Sequence, residues 1–275
     1  MKRIVFVGGG NMASAIISGL LKQGHAAHAL HVVEPGQVQR EKLRGELGVS
    51  SQAVADSALT GADLVVWAVK PQTFVQAALE CAQWVNAALH LSVMAGIRIA
   101  AISQSLRTER VVRAMPNTPA LIGQGIAGMF APLTVSDAER TFAEQVLQAT
   151  GSTLWVGAEA DLDAVTALSG SGPAYVFYFI EAMMQAAVEM GLSPDVGRRL
   201  ALATFSGATA LAQGSPEAPA TLRERVTSKG GTTHAALLCL EQRGVRAAFV
   251  EALHAARQRA RDLGDEFGSG QPPTS

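Results

Sequence analysis

Residues 2–13, KRIVFVGGGNMA, leave the chain few ways to fold: an apolar run over Ile4, Val5, Phe6 and Val7 ends in glycines and passes straight into a helical pattern. Strand, tight turn and helix are predicted in that order. Gly8, Gly10 and Ala13 fit the GxGxxG/A dinucleotide fingerprint, in which the first glycine makes the turn, the second lets backbone approach a pyrophosphate, and the small third residue lets helix pack on strand. Such a helix begins with free N–H groups aimed at phosphates. Glycine clusters occur in many turns, so the context carries the reading: Ala13, Ile16, Ile17, Leu20 and Leu21 repeat at helical spacing as far as Gly24.

The 275 residues, 48% of them apolar, suffice for one large domain or two modest ones with a sizeable core. With 22 basic and 23 acidic residues and no basic run, the chain has no reason to bind nucleic acid or an anionic membrane, and a small-molecule partner fits better. Cys81 and Cys239 match no metal or redox spacing and fall in helical patterns, where a reduced, buried thiol is the usual finding. No metal site is expected. The N-terminal apolar run is too short for a signal peptide, and nowhere do about 18 apolar residues follow one another, so a soluble, cytoplasmic protein is expected.

Residues 30–34 (LHVVE) form a short apolar run ending in Glu34, about 20 residues past the glycines, where this kind of fold meets the adenosine ribose. A carboxylate there chelates ribose hydroxyls and repels a 2′-phosphate, which favours NAD over NADP; Arg40, in the next helix, is placed to offset it. An exposed acid at a strand end is the alternative. Residues 62–69 (ADLVVWAV) have the continuous apolar character of a buried parallel strand, ended by Lys70 and Pro71. A helix over 73–85, a strand over 89–94 closing in Ala95 and Gly96, a helix over 99–106 and a strand over 110–114 continue the alternation. The last runs into Met115, Pro116, Asn117, Thr118 and Pro119, a rigid turn where Asn117 could bond a carboxamide or ribose. Strands over 125–131 and 152–156 flank a helix over 136–149 with Ser136 as its cap.

From Asp161 onward strand-like runs disappear. Residues 171–190 are apolar nearly all round, which implies burial between domains or between subunits. Helical material continues over 196–213, 234–243 and 245–267, and the tail 268–275 (GSGQPPTS) reads as disordered. The expected class is therefore α/β: a Rossmann dinucleotide-binding domain over 1–158, an all-helical domain over 159–267, and the tail.

A nicotinamide enzyme must hold a substrate carbon against the ring and stabilise the charge that changes on hydride transfer. Alcohol-type dehydrogenases with a helical partner domain often use a lysine base on the helix joining the domains. This chain has lysines at positions 2, 22, 42, 70 and 229 alone, none of them within 171–190. An imine substrate relaxes that demand, because a protonated C=N is already electrophilic and needs at most a weak donor. Residues 225–236 (RVTSKGGTTHAA) place Gly230 and Gly231 before two threonines at a helix opening, where free N–H groups could bind a carboxylate. The same stretch is equally a capped turn without function.

VTSKGGTT at 226–233, with LSGSGPAYVFYFIEAM at 168–183, MPNTPA at 115–120 and AVKP at 68–71, resembles the pyrroline-5-carboxylate reductase family, four separated motifs in one order. The resemblance implies reduction of 1-pyrroline-5-carboxylate to L-proline with NADPH or NADH, the last step of proline biosynthesis. It implies a helical dimerisation and substrate domain through which two chains interlock as a homodimer, often with five dimers in a decamer. Residue by residue, it implies dinucleotide contacts at Gly8, Gly10, Asn11 and Met12, and, around the nicotinamide half, at Ala68, Val69, Lys70, Pro71, Ala95 and Gly96. Substrate would lie at Ser228, Gly230, Gly231, Thr232 and Thr233, with Thr233 meeting the ring nitrogen as the catalytic hydroxyl and Glu159 nearby; a solvated hinge acid is the simpler reading of Glu159. Glu34, Arg225 and His234 depart from the family pattern, and Arg225, His234, Lys229 and Lys70 also fit plain solvated surface positions. A hydroxy-acid dehydrogenase of similar architecture is the alternative enzyme, disfavoured by the missing lysine; a cofactor-sensing protein without catalysis would have no use for the SKGGTT stretch.

Overall fold

The computed structural model describes residues 2–85 and 87–268. Its first strand, β1 (Ile4–Val7), is buried at every position, and it stays so because its residues serve two cores in alternation. Ile4 and Phe6 point into one apolar cluster, Val5 and Val7 into another, as the two-residue period of a strand requires. Helices α1 (Asn11–Lys22), α2 (Gln37–Leu47) and α5 (Asp137–Gln148) supply Ile16, Ile17, Leu43 and Leu147 to the first cluster. Helices α3 (Phe74–Val85) and α4 (Ile99–Leu106) supply Phe74, Cys81 and Ile102 to the second. Each such side chain, fully buried, contributes about 1.5–3 kcal/mol.

The remaining strands are β2 (Leu30–Val33), β3 (Ser50–Gln52), β4 (Leu64–Trp67), β5 (Leu89–Ser92), β6 (Val111–Met115), β7 (Gly125–Phe130) and β8 (Gly151–Trp155). They form one sheet in the order β3-β2-β1-β4-β5-β6-β7-β8, parallel except where β7 runs against β6. The order over the first six strands is that of a doubly wound dinucleotide-binding sheet. The strand expected over 62–69 is shorter at both ends, and β3, with its polar, half-exposed SSQ, carries no apolar signal in sequence. Ser136 caps α5 as expected: its hydroxyl accepts from Glu139 N while the Glu139 carboxylate accepts from Ser136 N.

Two polar groups lie inside the second core. Trp67 Nε1 donates to His90 Nδ1 at 3.0 Å, which leaves the His90 Nε2 proton with no partner. Burial pushes the His90 pKa down to about 4, with the nearby Arg110 charge acting the same way. Burial likewise pushes the Cys81 thiol up to about 12, so Cys81 is an inert core residue. Cys239, expected buried as well, is exposed in the chain.

After β8 the chain is helical: α6 (Asp161–Val165) widening into a π-type turn at Thr166–Gly170, then α7 (Gly172–Glu189), α8 (Pro194–Gln213), α9 (Pro219–Arg225), α10 (Thr232–Gln242) and α11 (Val245–Gly268). By packing, one compact unit runs to Ser171 and takes in the chain from Ala256 onward; the other is Gly172–Ala255. Residues 161–171 thus pack with the sheet, although the sequence break expected at 158/159 assigns them to the helices. The expected tail falls, apart from Gly268, outside the described residues.

Within the helical unit α7 and α8 cross closely, since a Cβ on Gly197 would come within 2.8 Å of Ala187 Cβ. Tyr175 and Phe179 each pack edge-on against Phe249. Yet Ala187, Gly197 and Ala201 are the only buried residues of this unit among the described residues. Phe177 (58%), Tyr178 (69%) and Leu211 (62%) are exposed. The burial on every side expected for 171–190 is not met within one chain. No helix among the described residues is long and apolar enough to cross a membrane.

Candidate functional site

Parallel pairing sets the C-terminal strand ends of the sheet side by side. Val7 is in register with Val33 and Trp67, and Trp67 with Ser92, so Gly8, Glu34, Ala68 and Val93 follow along one edge. The strand order reverses at β1 and β4, where open α/β sheets have their ligand crevice. Gly8 has φ +93° and donates its N–H to Val33 O at 2.8 Å; a Cβ there would lie 2.7 Å from Ala68 O. No other residue fits that turn.

Gly10 caps α1 without offering a side-chain acceptor, and a Cβ on it would meet nothing within 4 Å. The first helical bond is Ser14 N to Gly10 O, so the N–H groups of Asn11, Met12 and Ala13 have no partner within the helix. An uncapped helix start beside a side-chain-free approach fits a pyrophosphate.

Glu34 is more engaged than an exposed strand-end acid would be. Its carboxylate accepts from Gly9 N and from Gly36 N, each at 2.8 Å, and so ties the glycine turn to the loop after β2. Arg40, expected as an offsetting charge, donates to Glu34 O and Pro35 O, while Gln39 Nε2 bonds Gly9 O. Lys70 is exposed at the start of the 3-10 turn Pro71–Thr73, directly after Ala68 and Val69. Gly96 has φ +75° beside exposed Ala95.

Two residues expected at the site have partners within the protein. Asn117 bonds protein at both ends of its amide, donating to Ser169 O at 3.1 Å and accepting from Ile126 N at 3.0 Å. This bond joins the MPNTPA and LSGSG motifs, whose Gly170 would drive a Cβ to 2.6 Å from Met115 Cε. Glu159 is more engaged than a solvated hinge acid would be. Its Oε1 accepts from Ile99 N at 2.8 Å and from Arg113 Nη1 at 3.0 Å. Arg113 is buried in β6 and needs an anion, and α4 starts without a side-chain cap, so one carboxylate serves both. The signal was the lone cation inside the apolar run VVRAM.

The SKGGTT stretch lies in the helical unit. Gly230 turns at φ +75°, Gly231 caps α10 with no side-chain acceptor, and the first helical bond is Ala235 N to Gly231 O at 3.1 Å. The N–H groups of Thr232, Thr233 and His234 therefore open forward, a ready site for a carboxylate. A Cβ on Gly231 would come within 2.5 Å of Ser228 Oγ, so the tightness of this turn depends on both residues. Thr233 is half-buried; Ser228, Lys229, Thr232 and His234 are exposed. Arg225 pairs with Glu217 at 2.5 Å, which ties it to its own helical neighbourhood.

Residues 159–263 match the family model for pyrroline-5-carboxylate reductase dimerisation, and 3–96 that for NADP oxidoreductase, coenzyme F420-dependent. A pyrroline-5-carboxylate reductase of Pseudomonas aeruginosa is 43% identical over 97% of this chain and 98% of its own; that of Pisum sativum is 33% identical, covering 94% of each. Among solved structures, the enzyme of Coxiella burnetii superposes with a TM-score of 0.88 at 35% identity, covering 95% of this chain and 98% of that one. The Plasmodium falciparum reductase, solved with NADP bound, gives 0.85 at 26%, covering 96% and 98%. With relatives this similar along nearly its whole length, and the two helix openings in place, the chain belongs to the pyrroline-5-carboxylate reductase family.

Proposed function

We infer that the chain reduces the C=N bond of 1-pyrroline-5-carboxylate to give L-proline, using a nicotinamide dinucleotide held at the β1–α1 turn and a substrate carboxylate held at the start of α10. The 43% identity over nearly the whole length carries this reading. When bound, the reduced dinucleotide supplies the hydride that reaches the imine carbon. Gly8 and Gly10 let backbone approach the pyrophosphate, and the Asn11 and Met12 amides bond it. Ala68, Val69, Lys70, Pro71, Ala95 and Gly96 flank the nicotinamide half. In the helical unit, Ser228 and Gly230 shape the turn, the Gly231 and Thr232 amides hold the substrate carboxylate, and the Thr233 hydroxyl donates to the ring nitrogen as its basicity rises.

Glu34 inclines the site towards NADH. Its carboxylate is fixed at the β2 end by two amides, and the neighbouring Arg40 guanidinium donates to main-chain carbonyls, both of which support this preference. The working form is a homodimer through the exposed faces of the helical unit, with decamers of five dimers as the larger assembly; the dimerisation family match supports the first. Two unpaired cysteines support a reducing, cytoplasmic setting.

The test is oxidation of NADH and NADPH followed with 1-pyrroline-5-carboxylate, and reduction of NAD and NADP with 3-hydroxy acids. Proline formation from the first and no turnover in the second are expected. Turnover of the hydroxy acids alone overturns the assignment.

A further inference from the structure

The loop between β5 and α4 carries Ala95 and Gly96, and the last turns of α11 hold it from above. The Phe267 ring lies over Gly96 so closely that a Cβ there would sit 3.0 Å from Phe267 Cδ2 and 3.3 Å from Leu263 Cβ. Phe267 also packs against the second core cluster, to which the buried loop residues Met94 and Ile97 belong.

Arg98, at the far end of the loop, makes the second connection. Its guanidinium lies flat on the helix at Gly264, where a Cβ would collide with Nη2, Cζ and Nε at 2.7–2.8 Å. Nη2 donates to Arg261 O and to Asp265 Oδ1 at 3.3 Å, and pairs with the buried Asp163 at 3.5 Å. Gly264 is thus the one kind of residue that lets this cation seat, and the next residue along from Arg98, Ile99, is fixed by Glu159.

We propose that the end of α11 is a brace for the β5–α4 loop, with Phe267 and Arg98 as positioning residues that hold Ala95 and Gly96 in place for the nicotinamide half of the dinucleotide. This rests on the proposed reductase function, which puts that loop at the nicotinamide. A loop with a glycine at positive φ has no local conformation strong enough to fix it, and a ring pressed on that glycine supplies the missing restraint.

The test reads the affinity for NADH and NADPH by nicotinamide fluorescence, without pyrroline-5-carboxylate, in the full chain and in Phe267→Ala, Phe267→Leu and Phe142→Ala. Phe142 lies on the other face of the sheet, under Lys2, and its truncation removes a ring of the same size from the same unit. Phe267→Ala is expected to weaken binding about tenfold and raise KM for the dinucleotide by a similar factor, with Phe267→Leu recovering most of it and Phe142→Ala unchanged. If Phe267→Ala does not fold, Arg98→Gln is read in its place, with a loss of about threefold or more expected. Wild-type affinity in the variant, or an equal loss in Phe142→Ala, overturns the brace while leaving the reductase function intact. A wild-type chain that binds neither dinucleotide overturns that function and the brace with it.

Discussion

β1 and α7 are both apolar runs, and the chain treats them in opposite ways. β1 has no exposed residue and feeds two cores, one on each face of the sheet. α7 buries Ala187 alone and leaves Phe177 and Tyr178 more than half exposed. The sheet unit buries its apolar runs in its own contacts, whereas the helical unit, which matches a dimerisation family, leaves large apolar side chains exposed. In the proposed function the chemistry divides along the same line: the turn proposed for the dinucleotide belongs to the sheet unit, the turn proposed for the substrate to the helical one.

The strongest challenge to this contrast is Phe177→Asp. It should abolish the dimer by light scattering and reductase activity with it, while the sheet unit still binds dinucleotide; a full-size, active assembly would show that α7 is not the face the helical unit depends on. Acid should strike the other unit. His90 has a folded pKa of about 4 against an ordinary 6.5, so the unfolded chain takes up its proton first as the pH falls. The stability this residue contributes is complete above pH 6.5 and lost by about pH 4, a change of about 3 kcal/mol. Denaturant melts followed by tryptophan fluorescence, with His90→Gln giving a flatter profile, check it.

Two smaller substitutions sharpen the division of labour. Thr233→Ala should lower kcat about 100-fold with dinucleotide affinity unchanged, since it alters a donor in the substrate unit; an unchanged rate removes Thr233 from the site. Glu34→Ser should do the converse, moving the NADH to NADPH ratio of kcat/KM about tenfold towards NADPH and leaving KM for pyrroline-5-carboxylate as it was. Equal ratios before and after would mean that the carboxylate only ties Gly9 to Gly36.

What sequence could show was whatever is periodic or local. Strands buried on both faces read as continuous apolar runs, and the capping box at Ser136 and the glycine turn at Gly8 are written within a few residues. β3 was silent because a short, half-exposed edge strand needs no apolar residues. The bonds that Glu159, Arg98 and Asn117 make in the fold could not be read because their partners lie far along the chain, up to Asp265 for Arg98. The packing boundary at Gly172 was invisible for a related reason: 161–171 are as helical as α7 and differ only in which residues they touch.

Gly10 carries a trade-off that protein engineers meet often. A serine or aspartate at that position would give the first turn of α1 the acceptor it lacks and raise stability by a few tenths of a kcal/mol. The same side chain would occupy the donors a phosphate needs and, as aspartate, repel it. In the proposed function the uncapped start of this helix serves the dinucleotide, and a screen for heat resistance alone would tend to cap it and weaken the enzyme.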